Sequence, residues 1–182
     1  MRRRAVLGCP LALILPLPTA AQNTGPVSEQ QVKAAYLHRF LDFVEWPTSA
    51  FASASSPYAI GVAGADALAE ELETLVASRR PHGRPVVVKR LRPGDDPAGV
   101  HVLFIGRAAT GRAGSLLAAT SGKPVLTVTE TDEAFAAGTA ICFVTVEQRV
   151  RFDVALRPAE EHGLRISSRL LGVARNVTGT HS

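Results

Sequence analysis

Between positions 32 and 47 the chain reads VKAAYLHRFLDFVEWP, and its apolar residues recur at helical spacing. Val32, Tyr36, Phe40 and Phe43 form one stripe, which Leu37, Leu41 and Val44 widen. Lys33, Arg39, Asp42 and Glu45 fall mostly on the other side. The pattern predicts a helix over 28–45. Ser28 caps it, and Gln31, three residues later, completes a capping box. Pro47 stops it, because the residue before a proline avoids the α region. Three of the seven phenylalanines and the single tryptophan lie between Phe40 and Phe51. So apolar a helix needs a sheet or a second helix to cover it.

The pattern then alternates. A short apolar run at 58–63 predicts a strand. Gly64 turns the chain, and Asp66 is placed to cap a helix to about 76, with Leu68, Leu72, Leu75 and Val76 inward. Strands follow at 85–90, 100–105 and 125–129. The run at 100–105 is the most apolar and is expected at the centre of the sheet. Helices are expected near 110–119 and, as a short turn ending at Gly138, over 131–137. After Gly138 the period changes to two. Val150, Phe152, Val154 and Leu156 alternate with Arg149, Arg151 and Asp153. With the run at 140–146 and the turn Glu147-Gln148, this predicts an antiparallel hairpin with one buried and one wet face. Pro158 sits in the first turn of a short helix that Gly163 ends. A last helix is expected over 167–176, with Leu170, Leu171 and Ala174 apolar. Strand–helix alternation closed by a hairpin predicts a single-domain α/β three-layer sandwich, with a mostly parallel sheet and an antiparallel hairpin at one edge.

The first residues change the picture of charge. Met1-Arg2-Arg3-Arg4, an apolar run over 5–17 and small residues ending at Ala21 predict a cleavable secretory signal peptide over 1–21, and hence a periplasmic protein. A polar lead-in over 22–27 and a domain over 28–178 follow. Val6-Leu7-Gly8-Cys9 looks like an acylation box, but the apolar run continues past Cys9, which argues against lipidation. Cleavage takes Lys plus Arg from 20 to 17 against 16 acids, so the net charge falls from +4 to +1. That excludes a nucleic-acid reading based on charge. It also leaves Cys142 as the one cysteine of the mature chain, in an apolar run, which predicts a buried and inert thiol.

Catalytic patterns are missing. Gly61-Val62-Ala63-Gly64-Ala65-Asp66 lies between strand and helix but lacks the third glycine of a dinucleotide fingerprint and the Gly-Lys-Ser/Thr of a P-loop. Glu160-Glu161-His162 has no partner at metal-ligand spacing, so no metal is expected. Ser167-Ser168 lacks the glycines of a nucleophile elbow. Asn176-Val177-Thr178 is a lone sequon. No cofactor is indicated. If the domain binds a small ligand, the crevice at the strand ends, with Gly64, Asp66 and Gly106, is the expected place.

A resemblance spans residues 28–177. Lys33, Ala34, Ala35, Tyr36, Leu37, Phe40, Phe43, Val44, Trp46 and Pro47 match the opening helix of the YfiR family. Gly61, Val62, Gly64 and Asp66 match its first strand and turn, and Gly83, Arg84, Val87 and Val88 the approach to the next strand. His101 to Ile105 match the central strand. Leu126 to Val128, Phe135, Gly138, Ile141, Phe143 and then Val150, Arg151 and Phe152 follow in order. Gly163, Leu164, Ile166, Ser167, Ser168, Leu170, Leu171 and Ala174 are similar to its closing signature. Many members carry a cysteine just before the central-strand histidine; here Val100 stands there, so no intrachain disulfide is expected in the mature chain. The resemblance implies a non-enzymatic periplasmic repressor that binds the periplasmic sensor domain of an inner-membrane diguanylate cyclase. It restrains cyclic-di-GMP synthesis and biofilm formation, and an outer-membrane lipoprotein can sequester it. A homodimer is a family-level expectation, and no nucleic acid is implied. Arg169 and Arg175, on the exposed side of the expected closing helix, are the candidate partner contacts.

Overall fold

The structure, a computed structural model, describes residues 27–179. The expected signal peptide, Cys9 and all but the last residue of the lead-in lie outside the described residues. The opening helix, α1 (Glu29–Phe43), has the expected capping box: the Gln31 N–H donates to Ser28 Oγ at 3.1 Å and the Ser28 N–H to Gln31 Oε1 at 3.0 Å. It stops at Phe43, two residues short of the expectation. Val44 and Glu45 turn extended as strand β1 (Val44–Glu45) and pair antiparallel with β8 (Arg165–Ile166), far down the chain.

A seven-stranded sheet forms the middle layer. Its strands are β2 (Tyr58–Ala63), β3 (Val86–Leu91), β4 (Val102–Ile105), β5 (Leu126–Thr129), β6 (Ile141–Val146), β7 (Arg149–Ala155) and β9 (Asn176–Thr178), in the order β3-β2-β4-β5-β6-β7-β9. The first five run parallel, and their order reverses between β2 and β4, the doubly wound arrangement. β6 and β7 form the expected antiparallel hairpin. Glu147 and Gln148, the two turn residues, have φ of 49° and 59°, the left-handed conformation a two-residue hairpin turn requires.

The helices α2 (Asp66–Val76), α3 (Ala113–Thr120), α4 (Asp132–Ala136), α5 (Leu156–Glu161) and α6 (Ser168–Leu171) complete the layers. Alternate residues of β4 divide between two cores, because successive side chains on a strand point to opposite faces. Val102 and Phe104 join α1 and α2 on one face; Leu103 and Ile105 join α3 and α4 on the other. This is the predicted three-layer α/β sandwich.

Four local expectations are corrected. Asp66 does not cap α2: the cap residue is Ala65, and Asp66 is the first helical residue, where its charge favours the helix N-terminus. The expected helix over 167–176 is one turn only, capped by Ser167, because Asn176 to Thr178 pair parallel with Asp153 to Ala155. That pairing also makes β9, not the hairpin, the edge of the sheet. Asp153, expected on a wet face, is buried beside it.

Candidate functional site

At the switch point the β2 and β4 termini carry Gly64 and Gly106. A Cβ at Gly106 would lie 2.5 Å from the Gly64 carbonyl oxygen, and one at Gly64 would lie 2.5 Å from the Ala109 nitrogen. Gly64 also has a φ of 68°. Both positions need glycine because two loops cross backbone to backbone. The structure therefore brings Gly64 and Gly106 together, and the chain itself fills the space between them. Asp66 is exposed on the adjoining turn of α2.

One strand further along, at the carboxyl ends of β4 to β6, lies an ionic cluster that the periodicity did not reveal. Lys33 is only 4% exposed. Its Nζ donates to Glu29 Oε1 and Glu130 Oε2, each at 2.5 Å, and Glu130 Oε1 accepts the Arg107 N–H at 3.0 Å. Burial pulls the Lys33 pKa down, but the two carboxylates outweigh it and hold it above the ordinary lysine value. Burial likewise pushes Glu130 up, and the Lys33 ammonium with the Arg107 N–H brings it below the ordinary carboxylate range. The cluster ties α1 to the end of β5 and to the loop after β4. Glu29, one turn before Lys33, was a local hint of it; Glu130 was not visible at all.

His101 is a second buried anchor. Its Nδ1 accepts the Ala59 N–H at 3.0 Å, so the ring is neutral and its Nε2–H donates to the Ala50 carbonyl at 3.1 Å. Desolvation lowers its pKa, with the Arg84 and Lys89 charges adding to the effect and the Ala50 carbonyl opposing it. Phe51 stacks on the ring at 4.6 Å, and the Arg84 guanidinium lies 4.0 Å over Phe51 while donating to the Ser53 and Ser56 carbonyls. These contacts fasten the 48–57 loop to the sheet.

Arg169 and Arg175, expected on one helix, are separated. Arg169 is exposed on α6, whereas Arg175 precedes β9 and grips Asp153 with two parallel hydrogen bonds, Nε to Oδ1 at 2.8 Å and Nη2 to Oδ2. Its charge is committed to covering a buried carboxylate. Cys142 is 2% exposed; burial first, then the Asp132 and Asp153 charges, push its thiol up to about 11. It is the protonated, poorly nucleophilic thiol the sequence led us to expect.

The match to a family model places the protein in a class. The chain belongs to the YfiR/HmsC-like family, whose model matches residues 30–175. This is a family of periplasmic regulators in cyclic-di-GMP signalling. Among the described residues, no helix is long and apolar enough to cross a membrane. No curated protein matches the chain. A solved structure, a conserved domain protein from Vibrio cholerae, is similar with a TM-score of 0.58 at 13% identity. The alignment takes in 83% of this chain and 60% of that one, and at this identity it speaks for the fold alone.

Proposed function

We propose that the domain is a negative regulator that binds the periplasmic sensor domain of an inner-membrane diguanylate cyclase and holds the enzyme off stoichiometrically, without turnover. The observation that carries this reading is the family match over residues 30–175. Repression by binding requires higher affinity for the inactive state of the cyclase; equal affinity for both states shifts nothing. An outer-membrane lipoprotein that sequesters the regulator would reverse it, and a homodimer is compatible with the same scheme. Within the earlier pair of contact candidates, Arg169 is the one whose charge is uncommitted, so reversal at Arg169 is the cleaner probe of the partner surface.

Deleting the gene is expected to raise cellular cyclic-di-GMP, and periplasmic re-expression to restore it. A version lacking residues 1–21 is expected to stay in the cytoplasm and fail to rescue. Unchanged cyclic-di-GMP in the deletion strain, with the candidate cyclase expressed, would count against the regulator. The small-ligand reading at Gly64, Asp66 and Gly106 requires the two glycine loops to part.

A further inference from the structure

A cavity of about 330 Å³ lies between α1 and the C-terminal end of α2, walled by His38, Arg39, Asp42 and Phe43 of the first helix and by Leu75 and Arg79 beyond. His38 is 8% exposed, and its Nε2 is buried with no hydrogen-bond partner in the chain. A buried polar nitrogen without a partner is costly and uncommon. Elsewhere in the fold the cations Lys33, Arg90, Arg157 and Arg175 are each engaged by a carboxylate. Arg39 and Arg79 are not: among the described residues neither side chain has an ion pair or hydrogen bond.

We propose that this cavity binds a small organic monocarboxylate. The two guanidinium groups offer forked donors suited to a carboxylate. His38 lines the same cavity, so its imidazole stands beside the two guanidinium groups as a third polar group. Asp42 contributes one negative charge against the two arginines, so the site carries a single net positive charge. It therefore matches a monoanion better than a dianion such as phosphate. Phe43 and Leu75 offer apolar surface to a short hydrocarbon or aromatic body. The volume lies at the small end of ligand pockets, which bounds the ligand's size.

This site is separate from the switch-point loops and does not depend on the cyclase reading, since binding is measured on the purified protein alone. The probe is phenylacetate, followed by the His38 ring resonances in NMR and by calorimetry. Saturable binding with shifts at His38 is expected. 2-Phenylethanol, of similar shape but uncharged, should bind at least tenfold more weakly. The double variant R39Q/R79Q should lose at least tenfold in phenylacetate affinity. Both arginines are exposed, and an unchanged melting curve will show that the variant is folded. Equal binding of the acid and the alcohol, wild-type affinity in the double variant, or no saturable shift at His38 would each overturn the proposal. If phenylacetate fails to bind while the double variant loses affinity for a cyclase sensor domain, the carboxylate belongs to an acidic side chain of that partner, and the small-molecule site is refuted.

Discussion

The two faces of the sheet solve the same packing problem with different materials. Towards α1 and α2 the core is aromatic. Phe40 stacks on Phe143 at 5.9 Å and meets Phe152 edge-on at 5.4 Å, and Tyr36 and Phe104 extend the cluster. Towards α3 and α4 the buried set has no ring: four alanines, Ala63, Ala109, Ala113 and Ala134, lie among the aliphatic Leu91, Val100, Leu103, Ile105, Leu116 and Val125. Large rings hold a long helix off the sheet and fill the gap with many contacts; small residues let short helices and loop backbone approach closely. The first face gains stability from bulk and is hurt by removing volume. The second depends on closeness and is hurt by adding it.

The largest effect should come from the aromatic face. Phe40→Ala is expected to cost about 3–5 kcal/mol in chemical denaturation, and Leu116→Ala, on the smaller face, about 2 kcal/mol. Phe43 is only partly buried, so Phe43→Ala should cost less than Phe40→Ala, although periodicity ranked them alike. Equal costs for Phe40 and Leu116 would dissolve the contrast between the faces.

The ionic pin that holds α1 down comes next. Lys33→Met strands Glu130, whose side chain is 13% exposed, without its cation, and should cost about 3 kcal/mol, the low end for breaking a buried pair. The pH dependence gives a second readout. Because the folded Glu130 pKa lies below its unfolded value, its contribution is present above the ordinary carboxylate range and is lost as pH falls through the folded value. The variant should lack this part of the acid slope. An unchanged slope would assign the acid limb to other carboxylates.

The third test adds volume instead. Gly106→Ala, where a Cβ would meet backbone at 2.5 Å, should cost roughly 1–3 kcal/mol in the same assay. Gly114→Ala, in α3 where a Cβ meets nothing within 4 Å, should be neutral or stabilise by up to about 1 kcal/mol. A tolerated alanine at 106 would mean that the crossing loops have slack.

The smallest effect concerns His101. With its folded pKa below the ordinary value, the neutral ring contributes stability that is present above 6.5 and is lost as pH falls from there through the folded value. NMR titration should find the ring still neutral at a pH where exposed histidines are half protonated. An ordinary titration would mean that the Ala59 and Ala50 contacts do not hold the ring.

Where neighbours along the chain decide, the sequence was readable. The bounds of β2 and α2, the Ser28 capping box and the two-residue hairpin turn all follow from local pattern. Where distant partners decide, it was not. Lys33 has the periodicity of a solvent-facing residue, and it is buried because Glu130, far along the chain, joins Glu29 in pairing with it. Leu170, Leu171 and Ala174 have helical spacing, yet the helix ends at Leu171 and residues 176–178 are claimed by β7. The candidate site divided in the same way. Strand-end glycines were visible as turn residues, but not that their loops cross. His38 reads as one more polar position on a helix, and only the approach of α2 encloses it beside Arg79.

The covering of α1 also dictates an order of assembly. Its rings rest on Phe143 and Phe152, and its lysine pairs with a carboxylate 97 residues away. Local interactions can form the helix early, but nothing near it in sequence can shelter its aromatic side. Contacts so distant delay folding, because the loop between them must close before they reward it. During that interval the chain presents a sticky amphipathic segment, the kind of intermediate that aggregates or is held by chaperones. The element that does most to fix the native core is therefore the one that must wait longest for it.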